Sequence, residues 1–273
     1  MKRSDRMDRA TLSVIIPVKD EERNLERLLP ALLEQSSPPH DIVVAVAPST
    51  KDRSREVVEK YHPHARWVDG GMPGPGRNAG ARHTHGKTLL FLDADAMPGS
   101  GDFLHDIVEG MREQGLGLAT TDHAGIGATL GERCYFGIYN SAQRLMARSK
   151  RPFACGTVIA ARRDVHEAIG GFDERWAFYE DSDYIQRGVA AGYRFDVLDR
   201  SVNVDVDPRR LRKDGSLRVL INGIRADRYA RKHGIITDLG LIDSTYFEHK
   251  NDGGTTRYLS GRFPTRFFRS NIP

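Results

Sequence analysis

Residues 87–98 read KTLLFLDADAMP, an apolar run from Thr88 to Leu92 followed by two carboxylates, Asp93 and Asp95, with only Ala94 between them. The run has the character of a buried strand. Burying a bare carboxylate is costly, so such a pair belongs where the strand leaves the core and meets positive charge, most simply a divalent metal.

Working outward, the preceding residues alternate between strand and helix patterns. Thr11 to Pro17 is apolar and β-branched, and Glu21 to Glu34 carries Leu25, Leu28, Leu29, Leu32 and Leu33 at helical spacing. Asp41 to Ala47 is again strand-like, Lys51 to Tyr61 reads as a helix, Ala65 to Val68 as a short strand, and Arg77 to His85 as a small helix. Strand and helix repeating with short links predict an α/β fold, a mostly parallel sheet covered on both faces. Ligands of such sheets bind beyond the C-terminal ends of the strands. Here those ends are Pro17-Val18-Lys19-Asp20, Ala47-Pro48-Ser49, Asp69-Gly70-Gly71 and the Asp93/Asp95 pair, so the carboxylates fall where a ligand is expected.

At 273 residues and 39% hydrophobic, the chain is long enough for one sizeable core. Its two cysteines, Cys134 and Cys155, make neither a disulfide framework nor a CxxC zinc pattern. The charged start MKRSDRMDRA runs into the short stretch LSVIIPV without a signal-peptide pattern, and no apolar stretch approaches the roughly 20 residues of a membrane helix. The expectation is a cytoplasmic protein, at most peripheral to the inner face of a membrane. The net charge of +4 arises from 41 basic residues mixed with 37 acidic ones, a poor footprint for nucleic acid.

Two further segments bear on chemistry. In GGMPGPGRNAG, from Gly70 on, glycines 74, 76 and 80 follow the third strand, whereas a dinucleotide fingerprint needs GxGxxG after the first. Arg77 and Asn78 either meet a nucleotide at a helix start or belong to a glycine-rich turn and cap. Farther on, Glu180, Asp181 and Asp183 precede Ile185 and Val189 at helical spacing. N-capping by Asp181 or Ser182 accounts for one acid. Three within four positions repel one another, and a carboxylate held near others has its pKa raised toward the range of a general base.

In four segments the chain resembles the family 2 glycosyltransferases of the GT-A fold: LSVIIPVKDEERNLERLL from Leu12, GPGRNAGARHTHGKTLLFLDADAMP from Gly74, ACGTVIAARRDVHEAIGGFDE from Ala154 and FYEDSDYIQRGVAAGYRF from Phe178. The resemblance implies a tail over 1–10, a GT-A domain over 11–212 and a helical and irregular extension over 213–273. It implies a metal-dependent, inverting transferase moving a sugar from a nucleotide-diphosphate donor, with a UDP-sugar the first expectation, to a glycan, glycolipid or polysaccharide precursor. Asp95 would be the direct ligand of Mn²⁺ or Mg²⁺, and Asp93 would share the metal or contact the ribose. Asp181 would be the base, with Glu180 beside it. Pro17, Lys19 and Glu21 match the first nucleotide-binding loop, Arg77 and Asn78 the Arg-Asn at base and phosphate, and Gly156 a stretch of small residues facing donor or acceptor.

The sequence departs from the family in two places. Its second strand ends in Val46-Ala47-Pro48 where the family carries Asp, leaving Asp69 as a substitute reader of the nucleotide. The late His of many members is missing from Ser201 to Arg210. There Asp205 or Asp207 could serve the metal and Arg209 or Arg210 the diphosphate, or the segment is an ordinary edge strand. The rival readings are a non-catalytic nucleotide- or glycan-binding relative and a nucleotidyltransferase; the latter would want a glycine-rich basic loop after the first strand. Ile126 to Lys150 reads as one helix or two, with Tyr135, Phe136, Tyr139, Leu145 and Met146 as core or groove lining. Arg218 to Lys232 reads as a basic helix, and the tail from Arg257, rich in arginine and aromatics, either meets an anionic membrane, packs on the domain or is disordered.

Overall fold

The structure is a computed structural model that describes residues 12–71 and 73–237, the side chain of Arg210 excepted. The tail from Arg257, with its expected membrane contact, lies outside the described residues.

Strands β1 (Leu12–Val18), β2 (Asp41–Val46), β3 (Ala65–Asp69) and β4 (Thr88–Leu92) alternate with helices α1 (Glu22–Leu33), α2 (Ser54–Glu59) and α3 (Pro73–Arg82). After β4 come β5 (Ala96–Pro98), α4 (Phe103–Gln114), β6 (Leu118–Thr120), β7 (Asp122–Gly125) and α5 (Leu130–Ala147). The remainder is β8 (Val158–Arg162), α6 (Arg163–Ala168), α7 (Glu180–Ala190), β9 (Phe195–Val197), β10 (Asn203–Val206), α8 (Arg209–Asp214) and α9 (Ser216–His233).

Seven strands form one sheet in the order β3-β2-β1-β4-β8-β6-β9. The expected parallel half is there: β1 pairs parallel with both β2 and β4, and β2 with β3. Strand β8 runs antiparallel between β4 and β6, which makes the sheet mixed. Alternation along β1 decides the layers. Val14 and Ile16 face a core completed by Leu25, Leu28 and Leu32 of α1, whereas Ile15 faces a second core with Ala81, Phe91, Phe172 and Tyr184. Both faces are therefore dry, the condition under which continuous apolar strands are stable. Helix α3 approaches β1 so closely that a Cβ on Gly80 would lie 2.3 Å from Ile15 Cγ2.

Three details differ from the sequence reading. Helix α3 begins at Pro73 and not at Arg77, because proline suits the first turn, where its missing N–H costs nothing. The segment around Asp205 is no edge strand: β10 is the middle of a small sheet, between β5 and β7. The region from Ile126 holds one helix, α5, opened by a capping box between Thr129 and Glu132. Tyr135, Phe136 and Tyr139 cluster on one another, but Leu145 and Met146 are 81% and 37% exposed and line no core.

Candidate active site

Arg77 is the centre of the site. Its side chain is 2% exposed, with Nη2 donating to Asp93 Oδ1 at 3.1 Å and to the Gly156 carbonyl at 2.9 Å, and Nη1 donating to Glu180 Oε1 at 3.0 Å. Below the guanidinium lies the Phe172 ring, its centroid 5.3 Å from Cζ, itself stacked on Tyr184 at 4.0 Å. Burial works against the Arg77 charge, but Asp93, Glu180 and Asp181 outweigh it and hold the proton above the ordinary arginine range. A Cβ on Gly156 would fall 2.3 Å from Arg77 Nη2, so the guanidinium needs glycine there. One fixed fork thus holds the end of β4 and the start of α7 roughly 8 Å apart at most, the reach of a guanidinium and two hydrogen bonds.

Asp181 is in the first turn of α7. Its Oδ2 accepts from the Gly156 N–H at 2.8 Å and its Oδ1 from the Ser182 N–H at 2.6 Å. Burial, and next the charge of Glu180, push its pKa up to about 7, against the opposing pull of Arg77 and the two backbone donors. Neither Asp181 nor Ser182 caps the helix. The N-cap position is Tyr179, at φ 78°, whose hydroxyl donates to Asp227 at 2.9 Å and accepts from Gln186 at 2.8 Å. The acids were therefore freed from capping, and backbone strain of this kind gathers at functional sites.

On the other side of Asp93 lies a second acidic group. Arg209, at the start of α8, reaches Asp95 Oδ2 at 3.3 Å and Glu21 Oε1 at 3.5 Å. Burial raises the pKa of Glu21, the Asn24 amide and Arg209 oppose it, and Asp95 and Asp93 add to it. The loop after β1 is braced from β2's side by Asp52 and Ser54, which accept from the Glu22 and Glu21 amides at 2.8 and 3.1 Å. Lys19 Nζ is buried nearby with no hydrogen-bond partner, and Pro17 packs against Gly76.

The remaining expected residues sit apart from this centre. Asn78 spends its amide on the Phe172 backbone, in both directions at 2.8 Å, and on Glu174 at 2.9 Å, so it shapes the turn ahead of α7. Asp69 is exposed at the end of β3, in register with Val46. Asp205 pairs in β10, and Asp207 accepts from the Arg209 N–H at 2.9 Å to turn the chain into α8. Burial, and next the charge of Asp181, push the Cys155 thiol up to about 11, which disfavours its thiolate. Tyr139 of α5 is half-buried, and desolvation first, then the charges of Cys155 and Asp181, raise its pKa. Only the helical spacing of Tyr135 and Tyr139 hinted at it. The strain at Tyr179 left no trace in the sequence, since tyrosine has no preference for a left-handed backbone.

Among the described residues no group of three or more His, Cys, Asp or Glu could hold a metal ion by itself. The available donors are carboxylate oxygens, Asp93 and Asp95, each about one-third exposed just past the end of β4. Such a set fits a hard cation that takes its other ligands from phosphate and water, and does not fit zinc.

The profile described as Glycosyl transferase family 2 matches residues 13–170. Glycosyltransferase AglE of Haloferax volcanii is 28% identical over 192 residues, 67% of this chain and 62% of its own length. Poly(ribitol-phosphate) beta-N-acetylglucosaminyltransferase TarS of Staphylococcus aureus is 31% identical over 90 residues, 30% of this chain and 16% of its own. The chain thus spans less than two thirds of the length of these curated relatives. Mannosyltransferase PcManGT of Pyrobaculum calidifontis, solved with GDP-Man and Mn2+, matches with a TM-score of 0.66 at 19% identity, over 88% of this chain and 70% of that one. The likeness establishes the GT-A arrangement of sheet and helices.

Proposed function

The chain belongs to glycosyl transferase family 2, and from that premise we propose that it moves a sugar from a nucleotide-diphosphate donor to a hydroxyl acceptor with inversion at the anomeric carbon. The observation that carries this reading is Arg77 binding Asp93 on one side and Glu180, beside Asp181, on the other. In this reading the fork links a cation-binding edge, Asp93 and Asp95, to a general base, Asp181.

An acceptor hydroxyl is a poor nucleophile until its proton leaves. Asp181, with a pKa near neutrality, suits a base that must be ionised yet retain proton affinity. Its backbone donors fix the carboxylate plane, while Glu180 is kept in place by Arg77. Asp95 and Asp93 would hold Mn²⁺ or Mg²⁺, which would supply Lewis-acid stabilisation of the departing diphosphate. Arg209, paired with Asp95, and Lys19, just past β1, are cations that can meet phosphate. Support for a sugar nucleotide comes from PcManGT in complex with GDP-Man and Mn2+ and TarS in complex with UDP-GlcNAc. With Val46 and Ala47 buried at the end of β2, this chain lacks the acid there that would favour one base.

A thermal-shift panel of UDP- and GDP-sugars with Mn²⁺ or Mg²⁺ tests the donor side. Asp95→Asn should lose the metal-dependent shift, and Asp181→Asn should keep the shift but lose transfer. Full transfer by Asp181→Asn would remove the base assignment.

A further inference from the structure

Helix α5 presents an apolar edge to solvent. Leu130, Ile138 and Leu145, spaced about two turns apart, are 79%, 60% and 81% exposed. Helix α9 does the same at i, i+4 and i+7, with Leu217 at 70%, Ile221 at 38% and Ile224 at 50%. The two helices are tied at both ends. Arg212, in α8 just before α9, donates to Glu132 in the first turn of α5 at 2.8 Å, and Asp227 of α9 lies 4.0 Å from Arg151, just past the end of α5. They therefore run side by side in the same direction as one ledge.

Charge on the ledge is one-sided. Arg225, Arg228 and Lys232 of α9 are exposed, whereas Asp227 turns inward to Tyr179 and Arg231. Exposed leucine and isoleucine beside exposed arginine and lysine is the composition of a helix lying in the interface of an anionic bilayer. A second copy would set these cations against its own apolar edge or against the same cations.

The ledge also joins the site. Tyr139, on α5, meets the Phe153 ring, two residues before Cys155, at 5.7 Å between centroids, and Asp227, on α9, accepts from the hydroxyl of Tyr179, the residue before Glu180. We propose that the outer faces of α5 and α9 dock the protein on an anionic membrane surface and bring a lipid-carried acceptor to Asp181. The docking stands by itself; the acceptor class rests on the transfer reading above.

The test is flotation of the full chain with vesicles of phosphatidylcholine alone or mixed with phosphatidylglycerol. Wild type should bind the mixed vesicles and release with salt. Two variants, Leu130→Ser/Ile138→Ser/Leu145→Ser and Arg225→Gln/Arg228→Gln, should each bind about tenfold more weakly, with melting temperatures near wild type. Calorimetric titration of sugar nucleotide with Mn²⁺ into lipid-free protein should be the same for all three. Absent flotation of wild type, flotation of both variants equal to wild type, or a dimer by light scattering that the serine variant dissolves, would overturn the docking. Flotation without any donor binding would instead overturn the transfer reading and leave the docking in place.

Discussion

Arg77 donates to Glu180 across 103 positions of sequence, at 3.0 Å, from a side chain that is 2% exposed. Removing one partner of a buried ion pair leaves the other charged and poorly solvated, which costs about 3–5 kcal/mol. Arg77→Met should lose that much in urea unfolding, because Asp93 and Glu180 would face each other without a cation. Arg77→Lys should recover only part of it, since one ammonium cannot span both carboxylates and the Gly156 carbonyl. Equal stability of Arg77→Met and wild type would show that the fork does not hold the site.

The pKa of Asp181 sets the pH dependence. Transfer needs the ionised base, so kcat/KM should rise with pH through an acidic limb near 7 and flatten above it. Stability has the opposite slope: a carboxyl raised in the folded state contributes most below its usual value of 3.8 and loses that contribution as pH rises through about 7. Denaturation of wild type and Asp181→Asn from pH 4 to 8 should therefore show a gap that shifts in favour of the variant as pH rises. A gap independent of pH would contradict the raised pKa.

Arg209 is paired with Asp95 and Glu21 where a divalent cation is expected to bind. The pair is more than half exposed on the arginine side, so its loss changes affinity by a modest factor. Arg209→Ala should bind Mn²⁺ alone about threefold more tightly, as a competing cation is gone. It should bind a nucleoside diphosphate with Mn²⁺ more weakly, because a phosphate partner is gone. Calorimetry reads both, and a loss in both would mean that Arg209 serves only to place α8.

Two buried histidines set an acid limit. Burial lowers His123 to about 4, and burial first, with Arg163 and Arg187 adding, lowers His166 to about 4, from the usual 6.5. A base depressed in the folded state contributes stability above its unfolded value and loses it as pH falls through the folded one. Both ring nitrogens of His123 lack a hydrogen-bond partner, so His123→Phe removes the titration without breaking a bond. Melting curves of this variant and wild type should diverge between pH 6.5 and pH 4, with the variant losing less. Parallel curves would mean that His123 meets water.

The parallel half of the sheet was legible because β1, β2 and β4 are apolar on both sides and α1 carries a leucine stripe. The ranges expected for β1, β2, β3 and β4 agree with those observed to within a residue or two. Strands β6, β7 and β9, of three or four residues, went unread, as runs that short hold no period and are placed by their neighbours. Leu145 and Met146 read as core or groove lining from sequence because apolar residues are usually covered. Which face of α5 meets the sheet is settled by packing.

By itself the sequence determined that Asp93 and Asp95 come just past the end of a buried strand, since hydrophobic burial holds Thr88 to Leu92 inside and the cost of a buried charge keeps the carboxylates at its edge. The same local logic marked Glu180 and Asp181 as more acid than a helix start requires. Tertiary structure alone decided that Arg77 binds both groups, that Asn78 shapes the turn before α7, and that Arg209 reaches Asp95 from 114 positions away. Periodicity reports how a residue relates to its near neighbours. An ion pair depends on where separate elements bring their ends together, and that is set by how the two cores pack on either face of the sheet.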